Sequence, residues 1–203
     1  MRPAPWIDDG IAHLSSDPIM GPLVRDFRRP ELYLADCIYT RIGTSIVYQQ
    51  ISTKAGDAIF SRFVGLWPDQ PFPTPEQLAE CTIEQLREIG LSRQKASYLI
   101  DLAAKCRDRV VRIEDIPSMD EAELAQHLTQ IKGIGLWTVD MLMIFGLGRP
   151  DILPLGDLGI RTAFARLTDR TDLKPADMHE IAEPWRPYRS AATWYLWRLL
   201  EAK

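Results

Sequence analysis

The sequence predicts an all-α protein, on three observations. Apolar residues recur at three- and four-residue spacing along most of the 203 residues, as they do on the buried face of a helix. Thr or Ser repeatedly stands three positions before Gln or Glu, which is typical of helix starts. No segment alternates apolar and polar residues in the manner of a half-buried strand. A proline-rich break at residues 67–75 interrupts the helical pattern, and we expect it to cross between two lobes.

Two helices are predicted before the break. Residues 31–50 carry apolar side chains at three- and four-residue spacing, which indicates one buried helix. Ser52 can cap a second helix, whose Ala55, Ile59 and Phe63 share one face.

After the break, capping-box spacing predicts helix starts at Thr74, Thr82 and Ser118. Gly90 can end the helix that begins at Thr82. A long helix follows, capped by Ser92.

Two further helices, residues 118–131 and 136–145, are joined by a Gly-x-Gly turn. Gly133 suits the left-handed position that ends a helix, and Gly135 removes the side chain where the backbone would approach a phosphate. The N–H groups of such a turn point outward at a helix N-terminus, where they can bind an anion such as a DNA phosphate.

Asp157 stands at the start of a later helix, after an irregular stretch rich in glycine and proline. Two more helices follow, broken at Glu183-Pro184, and the last carries Trp194 and Trp197. A carboxylate downstream of an anion-binding hairpin suggests chemistry on DNA. The competing interpretation is that Asp157 only caps its helix.

Composition is that of a soluble globular protein, with 46% hydrophobic and 26% charged residues. No apolar run approaches the roughly 18 residues of a membrane span, so we expect no membrane association. The N-terminus lacks the apolar core of a signal peptide, which favours a cytoplasmic location. Three cysteines lie far apart in sequence, without metal-ligand spacing, and we expect them to be buried small hydrophobes.

The net charge of −4 argues weakly against DNA binding, although local charge matters more than the sum. The stretch 93–112 is rich in basic residues. It is either a DNA-facing patch or an ordinary solvated helix face.

One string is far more specific than a Gly-x-Gly turn: Leu128-x-x-Ile131-x-Gly133-Ile134-Gly135-x-Trp137-Thr138. It resembles the helix-hairpin-helix (HhH-GPD) DNA glycosylase superfamily, in its AlkA-like 3-methyladenine DNA glycosylase II branch. Residues 48–55, 90–96 and 185–190 resemble other stretches of that branch, so the resemblance spans about residues 30–200.

The resemblance implies a two-lobed helical fold with the active-site cleft between the lobes and no N-terminal β domain. The chain would be a single compact domain, residues 1–203. Lobe A would comprise about 1–70 plus 155–203, and lobe B about 71–154, with the helix-hairpin-helix at 119–146.

The implied activity is that of a monofunctional DNA glycosylase for alkylated purines of the 3-methyladenine and 7-methylguanine type. It would flip out the base, hydrolyse the N-glycosidic bond in base excision repair, and leave an abasic site. Asp157 matches the essential aspartate, which stabilises an oxocarbenium-like transition state and orients or deprotonates water. Trp137 stands where bifunctional relatives have a Schiff-base lysine, so no β-lyase activity is expected.

The implied base pocket consists of Trp137, Trp197 and Tyr48, with core packing as the alternative for the tryptophans. Gln50 aligns with the side chain that intercalates into DNA, or is only an exposed helix end. The residues implied to contact DNA are Gly133, Gly135, Lys132, Ile134, Thr138, Gln49 and Gln50.

Asp140 is either a second carboxylate or a hydrogen-bonding strut. No cofactor is required. The resemblance implies a Na⁺ or K⁺ site at the hairpin carbonyls of Ile131 and Ile134, with no metal held by side chains. The expected partner is double-stranded DNA with a damaged base, met by a monomer at the bacterial nucleoid.

Two alternatives remain open from the sequence. One is a glycosylase of the same superfamily that acts on another lesion, such as a deaminated or etheno base. The other is a non-catalytic protein that binds DNA structure through the hairpin alone.

Overall fold

The computed structural model describes residues 2–201 and is mainly helical, which confirms the all-α prediction. A two-residue strand pair, which the sequence did not indicate, joins Arg2–Pro3 (β1) to Tyr33–Leu34 (β2) in antiparallel register. The α-helices of the described part are α1 (Ile7–Ser15), α2 (Met20–Asp26), α3 (Ile38–Tyr48), α4 (Thr53–Val64), α5 (Pro75–Ala79), α6 (Ile83–Glu88), α7 (Arg93–Arg107), α8 (Glu121–Leu128), α9 (Leu136–Phe145), α10 (Leu158–Thr168), α11 (Pro175–Ile181) and α12 (Arg189–Glu201). Two 3-10 helices span Ile113–Ser118 and Glu183–Trp185. None of the helices between residues 2 and 201 has the length and apolarity needed to cross a membrane.

The chain folds into two compact units. Unit 1 comprises Met1–Asp36 and Asp140–Lys203, and unit 2 comprises Cys37–Val139. The expected lobes placed residues 37–70 with the C-terminal helices, whereas the structure groups them with the hairpin.

Packing of α3 on α7 explains the grouping of residues 37–70 with unit 2. The contact is reinforced by Lys95 of α7, whose Nζ donates a hydrogen bond to the Val47 carbonyl near the end of α3 at 2.7 Å. Partial burial lowers the pKa of this ammonium. The hydrogen bond thus ties the C-terminal end of α3 to the helix that also supports the hairpin.

Unit 1 is built around α12, which packs against α1, α2 and α10. Trp185 stacks on Phe164 of α10 with ring centroids 5.5 Å apart, and both side chains are fully buried. Helices α1 and α2 belong to this unit and were not predicted. Helix α1 begins without a side-chain cap, and the carboxylate that accepts from the Met20 N–H of α2 at 2.8 Å is that of Asp17, two residues before the N-cap position.

Unit 2 is built around α7, which packs against α3, α5 and α6. The predicted caps are confirmed for four helices: Ser52, Thr74, Thr82 and Ser92 each accept a hydrogen bond from the backbone N–H three residues later.

Three sequence expectations need correction. Ser118 does not cap the first hairpin helix; it ends a 3-10 helix, and Asp120 forms the capping box of α8. The helix expected over 31–50 begins only at Ile38, because Tyr33–Leu34 pairs as a strand. The cysteines are not fully buried: Cys37 is exposed, and the other two are half-buried.

Candidate active site

The hairpin turn between α8 and α9 requires glycine at position 133. Gly133 has φ = +79°, a left-handed conformation that side chains disfavour. A Cβ atom there would also lie 2.1 Å from the Tyr98 ring of α7. The turn therefore packs closely on α7. Gly133 does not end the first hairpin helix as predicted, because α8 ends at Leu128, five residues earlier, rather than at residue 131.

Gly135 has a different environment, since a Cβ atom there would meet nothing within 4 Å. The following Leu136 and Trp137 are 65% and 49% exposed, and Thr138 is half-buried. The start of α9 thus presents an open backbone flanked by apolar side chains, which suits the approach of a ligand backbone.

Lys132 is held by Asp101 of α7. The Asp101 carboxylate accepts a hydrogen bond from the Lys132 N–H at 2.8 Å, and the Lys132 ammonium lies 3.7 Å away. Lys105 donates to the same carboxylate at 2.6 Å. Burial alone would raise the pKa of Asp101, but these hydrogen bonds and charges outweigh burial and lower it. Asp101 is therefore an ionised anchor for the turn.

The apolar residues of the turn face inward. The side chains of Ile131 and Ile134 are buried, and the Ile134 N–H donates to the Ile131 carbonyl at 3.1 Å. A DNA contact by Ile134, predicted from the sequence, would therefore involve its backbone.

Gln49 and Gln50 follow α3 directly and differ in what they do. The Gln49 side-chain amide donates to the Gly133 carbonyl at 3.1 Å, so this residue ties the end of α3 to the hairpin. Gln50 is exposed and has φ = +56°, an uncommon conformation for a residue other than glycine. Such a backbone outlier is typical of functional positions, and the role of Gln50 as the intercalating side chain stays a prediction.

Tyr48 makes local contacts within unit 2. Its hydroxyl donates to Asp57 at 2.6 Å, and its ring lies over Gly56 of α4, where a Cβ atom would come within 2.4 Å. A role in a base pocket stays a prediction.

The basic side chains of the stretch 93–112 form hydrogen bonds or ion pairs with acceptors of this chain. Lys95 donates to a carbonyl, and the other basic side chains each face a carboxylate. The ion pairs are Arg93–Glu84 (3.5 Å), Lys105–Asp101 (2.6 Å), Arg107–Asp108 (2.8 Å), Arg109–Glu114 (2.6 Å) and Arg112–Asp115 (2.6 Å). This favours the interpretation as a solvated, internally neutralised face.

In unit 1, Asp157 is the N-cap of α10. Its Oδ1 accepts from the Ile160 N–H at 2.9 Å and from the Trp197 indole Nε1–H at 3.2 Å. The carboxylate is half-buried, beside the partial positive charge of the helix N-terminus. Capping and catalysis are thus compatible: the N–H groups fix the orientation of the carboxylate that chemistry would use.

Two residues near Asp157 and Trp197 were not predicted from the sequence, namely Phe145 and Gly159. The Trp197 ring stacks on Phe145 with centroids 5.6 Å apart. A Cβ atom on Gly159 would lie 2.9 Å from the Asp157 carboxylate and 3.4 Å from the Trp197 ring. A glycine inside a helix is destabilising, and this was the available signal that something approaches closely there.

Asp140 lies in α9, one helical turn after Trp137, and is half-buried. Its role as a strut or a second carboxylate stays a prediction. Among residues 2–201, no three His, Cys, Asp or Glu side chains are grouped so that they could hold a metal ion.

Comparison with known proteins identifies the family. Residues 44–187 match the model of a family described as HhH-GPD superfamily base excision DNA repair protein. The DNA-3-methyladenine glycosylase 1 of Schizosaccharomyces pombe is 38% identical over 163 residues, which cover 79% of this chain and 71% of the relative. A putative DNA-3-methyladenine glycosylase of Bacillus subtilis is 33% identical over 187 residues, which cover 89% and 62%.

A solved structure of a Schizosaccharomyces pombe 3-methyladenine DNA glycosylase in complex with abasic DNA superposes with a TM-score of 0.77 at 34% identity, covering 94% of this chain and 95% of that one. The chain therefore belongs to the helix-hairpin-helix (HhH-GPD) superfamily of base excision DNA repair proteins. Within it, these relatives bear the names of glycosylases for alkylated bases.

Proposed function

We propose that this protein is a monofunctional DNA glycosylase that excises alkylated purines from double-stranded DNA. The observation that carries the proposal is the Asp157 carboxylate, oriented by two N–H donors at the N-terminus of α10. The names of the relatives, DNA-3-methyladenine glycosylases, supply the substrate class.

The reaction begins with a base that already carries positive charge. Its bond to the sugar C1′ breaks heterolytically, and the bonding electrons leave with the base and neutralise it. Positive charge then builds on C1′ and the ring oxygen, where the Asp157 carboxylate stabilises it. Water adds through its oxygen to C1′ and loses a proton to the carboxylate, which passes it to solvent. The products are a free base and an abasic site.

Side chains at the hairpin argue for hydrolysis without strand cleavage. A lyase needs an amine that forms a Schiff base with the sugar, and Trp137 supplies none. The nearby ammonium of Lys132 lies 3.7 Å from the Asp101 carboxylate and forms an ion pair with it. Trp137, half exposed, offers instead an aromatic face that attracts a cationic base over a neutral one.

DNA would be held by its backbone at the hairpin. The backbone at Gly135, where a side chain would meet no atom within 4 Å, leaves room for a phosphate, and the exposed Gln50 suits the gap left by a flipped base. A carbonyl oxygen has two lone pairs, and the Ile131 oxygen uses one within the turn. The carbonyls of Ile131 and Ile134 would hold a monovalent cation, whose charge would favour a phosphate at the hairpin. Flipping one base requires one copy of the chain, so we propose a monomer.

The test is release of free bases from duplex DNA methylated with a radiolabelled methyl donor. Asp157→Asn is the informative variant, because asparagine is as good an N-cap as aspartate and keeps the helix start. We expect it to lose about 100-fold or more of the single-turnover rate, as removal of an electrostatic stabiliser does. Asp172→Asn, an exposed carboxylate of the same unit, is the matched control.

Two results would count against the proposal. Wild-type protein that binds methylated DNA but releases no base would exclude the enzyme. A covalent adduct with DNA trapped by borohydride would exclude the monofunctional mechanism.

A further inference from the structure

The buried polar side chains of the described residues all form hydrogen bonds with the same short segment. Within residues 2–201, the buried polar or charged side chains are Arg189, Ser190 and Thr193, which are 6%, 0% and 0% exposed. All three lie in the first half of α12, and all three hydrogen-bond residues 149–152. Burying a polar group costs free energy unless its partners are well placed, so their concentration on one helix points to a specific use.

Arg189 forms the strongest of these contacts. Its Nε donates to Asp151 Oδ1 at 2.6 Å, and its Nη2 donates to Oδ2 and to the Asp151 carbonyl, both at 3.1 Å. A two-point guanidinium–carboxylate pair fixes direction as well as distance. Arg186 donates to the same carboxylate at 2.5 Å, so the position of Asp151 is set from two sides.

Ser190 and Thr193 fix the backbone that follows. The Ser190 hydroxyl donates to the Arg149 carbonyl at 2.6 Å and accepts from the Ile152 N–H at 3.0 Å. Thr193 donates from its hydroxyl to the Ile152 carbonyl at 3.2 Å. Side chains of α12 thus form hydrogen bonds with backbone N–H and C=O groups of residues 149 and 152, which in a regular strand or helix would pair with other backbone groups.

The segment leads directly to Asp157. Turn hydrogen bonds link Leu155 to Leu153 and Asp157 to Pro154, each at 2.9 Å. The segment then meets α12 again, because Trp197 donates to the Asp157 carboxylate. Arg189, Thr193 and Trp197 are spaced four residues apart and share one face of the helix.

We propose that this face of α12 is a template that positions the Asp157 carboxylate, with Arg189, Ser190 and Thr193 as positioning residues for base excision. The inference rests on the proposed function of Asp157. Errors of about 1 Å in a reacting group can lower a rate about 100-fold. Contacts distant from the base would therefore act on the chemical step rather than on DNA affinity.

The first experiment separates positioning from stability. Ser190→Ala and Thr193→Val remove the hydroxyls, Thr193→Ser keeps one, and Leu14→Ala is a control that destabilises the fully buried core of the same unit. Single-turnover base release from methylated duplex DNA is measured with saturating protein, at a temperature where every variant is folded. We expect Ser190→Ala and Thr193→Val to be about 10- to 100-fold slower with unchanged DNA affinity. Thr193→Ser and Leu14→Ala should keep the wild-type rate.

The second experiment combines Ser190→Ala with Asp157→Asn. If Ser190 acts through Asp157, the double variant should be no slower than Asp157→Asn alone. Wild-type rates for Ser190→Ala and Thr193→Val, or a slowing equal to that of Leu14→Ala, would overturn the template. Additive losses in the double variant would overturn it as well. Full activity of Asp157→Asn would instead refute the proposed role of Asp157, so the two failures are distinguishable.

Discussion

The two glycines of the hairpin provide a matched pair of substitutions with opposite expected effects. Gly133→Ala forces a side chain into a left-handed backbone, which costs about 1–2 kcal/mol. Its Cβ would also lie 2.1 Å from the Tyr98 ring, and relieving such overpacking costs about 1–3 kcal/mol. The sum is roughly 2–5 kcal/mol of stability. At about 2–4 °C per kcal/mol for a chain of this size, the melting temperature should fall by roughly 4–20 °C.

Gly135→Ala should leave stability unchanged or raise it slightly. The new methyl group meets no atom within 4 Å, and position 135 is not among those with positive φ. Loss of chain entropy in the unfolded state favours alanine by about 0.4–1 kcal/mol. The methyl group would, however, occupy the space through which a phosphate approaches. Losing one hydrogen bond to a charged group costs about 1.5–3 kcal/mol, and therefore weakens DNA binding about 10- to 100-fold.

Thermal unfolding and fluorescence anisotropy with a duplex that carries an abasic-site analogue measure both effects. Wild-type affinity in Gly135→Ala would refute the assignment of this turn as the phosphate grip. Wild-type stability in Gly133→Ala would refute the packing argument, whatever the affinity.

Other substitutions test the remaining parts of the site. Trp197→Phe keeps an aromatic ring to stack on Phe145 but removes the indole donor to Asp157. Single-turnover base release should therefore be about 10-fold slower, with no change expected in DNA affinity. An unchanged rate would show that the donor is dispensable. Trp137→Ala should reduce the preference for 7-methylguanine over guanine by the cation–π contribution of about 0.5–2 kcal/mol, whereas Trp137→Phe should keep most of it, as competition assays would show. Asp101 has a lowered pKa, so its contribution to stability is present above its ordinary value of 3.8 and is lost as the pH falls through the lower folded value. The melting temperatures of wild type and Asp101→Asn should therefore differ at pH 6 and converge toward pH 3, and a constant difference would contradict the ionised anchor.

Local signals in the sequence predicted much of the fold. Ser52, Thr74, Thr82 and Ser92 cap helices as their spacing indicates, because a cap is satisfied within four residues. The same rule failed at Ser118, where a second capping box with identical spacing begins two residues later and is the one the chain uses. Capping-box spacing alone does not show which of two overlapping capping boxes begins the helix.

The residues of the candidate site were predicted, but the hydrogen bonds between them were not. Asp157, Trp197 and the hairpin glycines were identified from motifs, but the hydrogen bond between Asp157 and Trp197 joins residues 40 positions apart. Likewise, a DNA contact by Gln49 was predicted, but the hydrogen bond from its amide to the Gly133 carbonyl was not. Such pairings depend on how helices pack, and no local pattern encodes them.

The matched charges of the stretch 93–112 bear on how the protein would search a genome. Each phosphate neutralised by a basic side chain adds roughly −0.9 to the slope of log affinity against log salt concentration. Here an approaching phosphate would meet a carboxylate beside every arginine. This face would contribute little to non-specific attachment, and its salt dependence would be shallow. Residence on undamaged DNA would then be short, and an encounter would be prolonged only where the hairpin and a displaced base are engaged together.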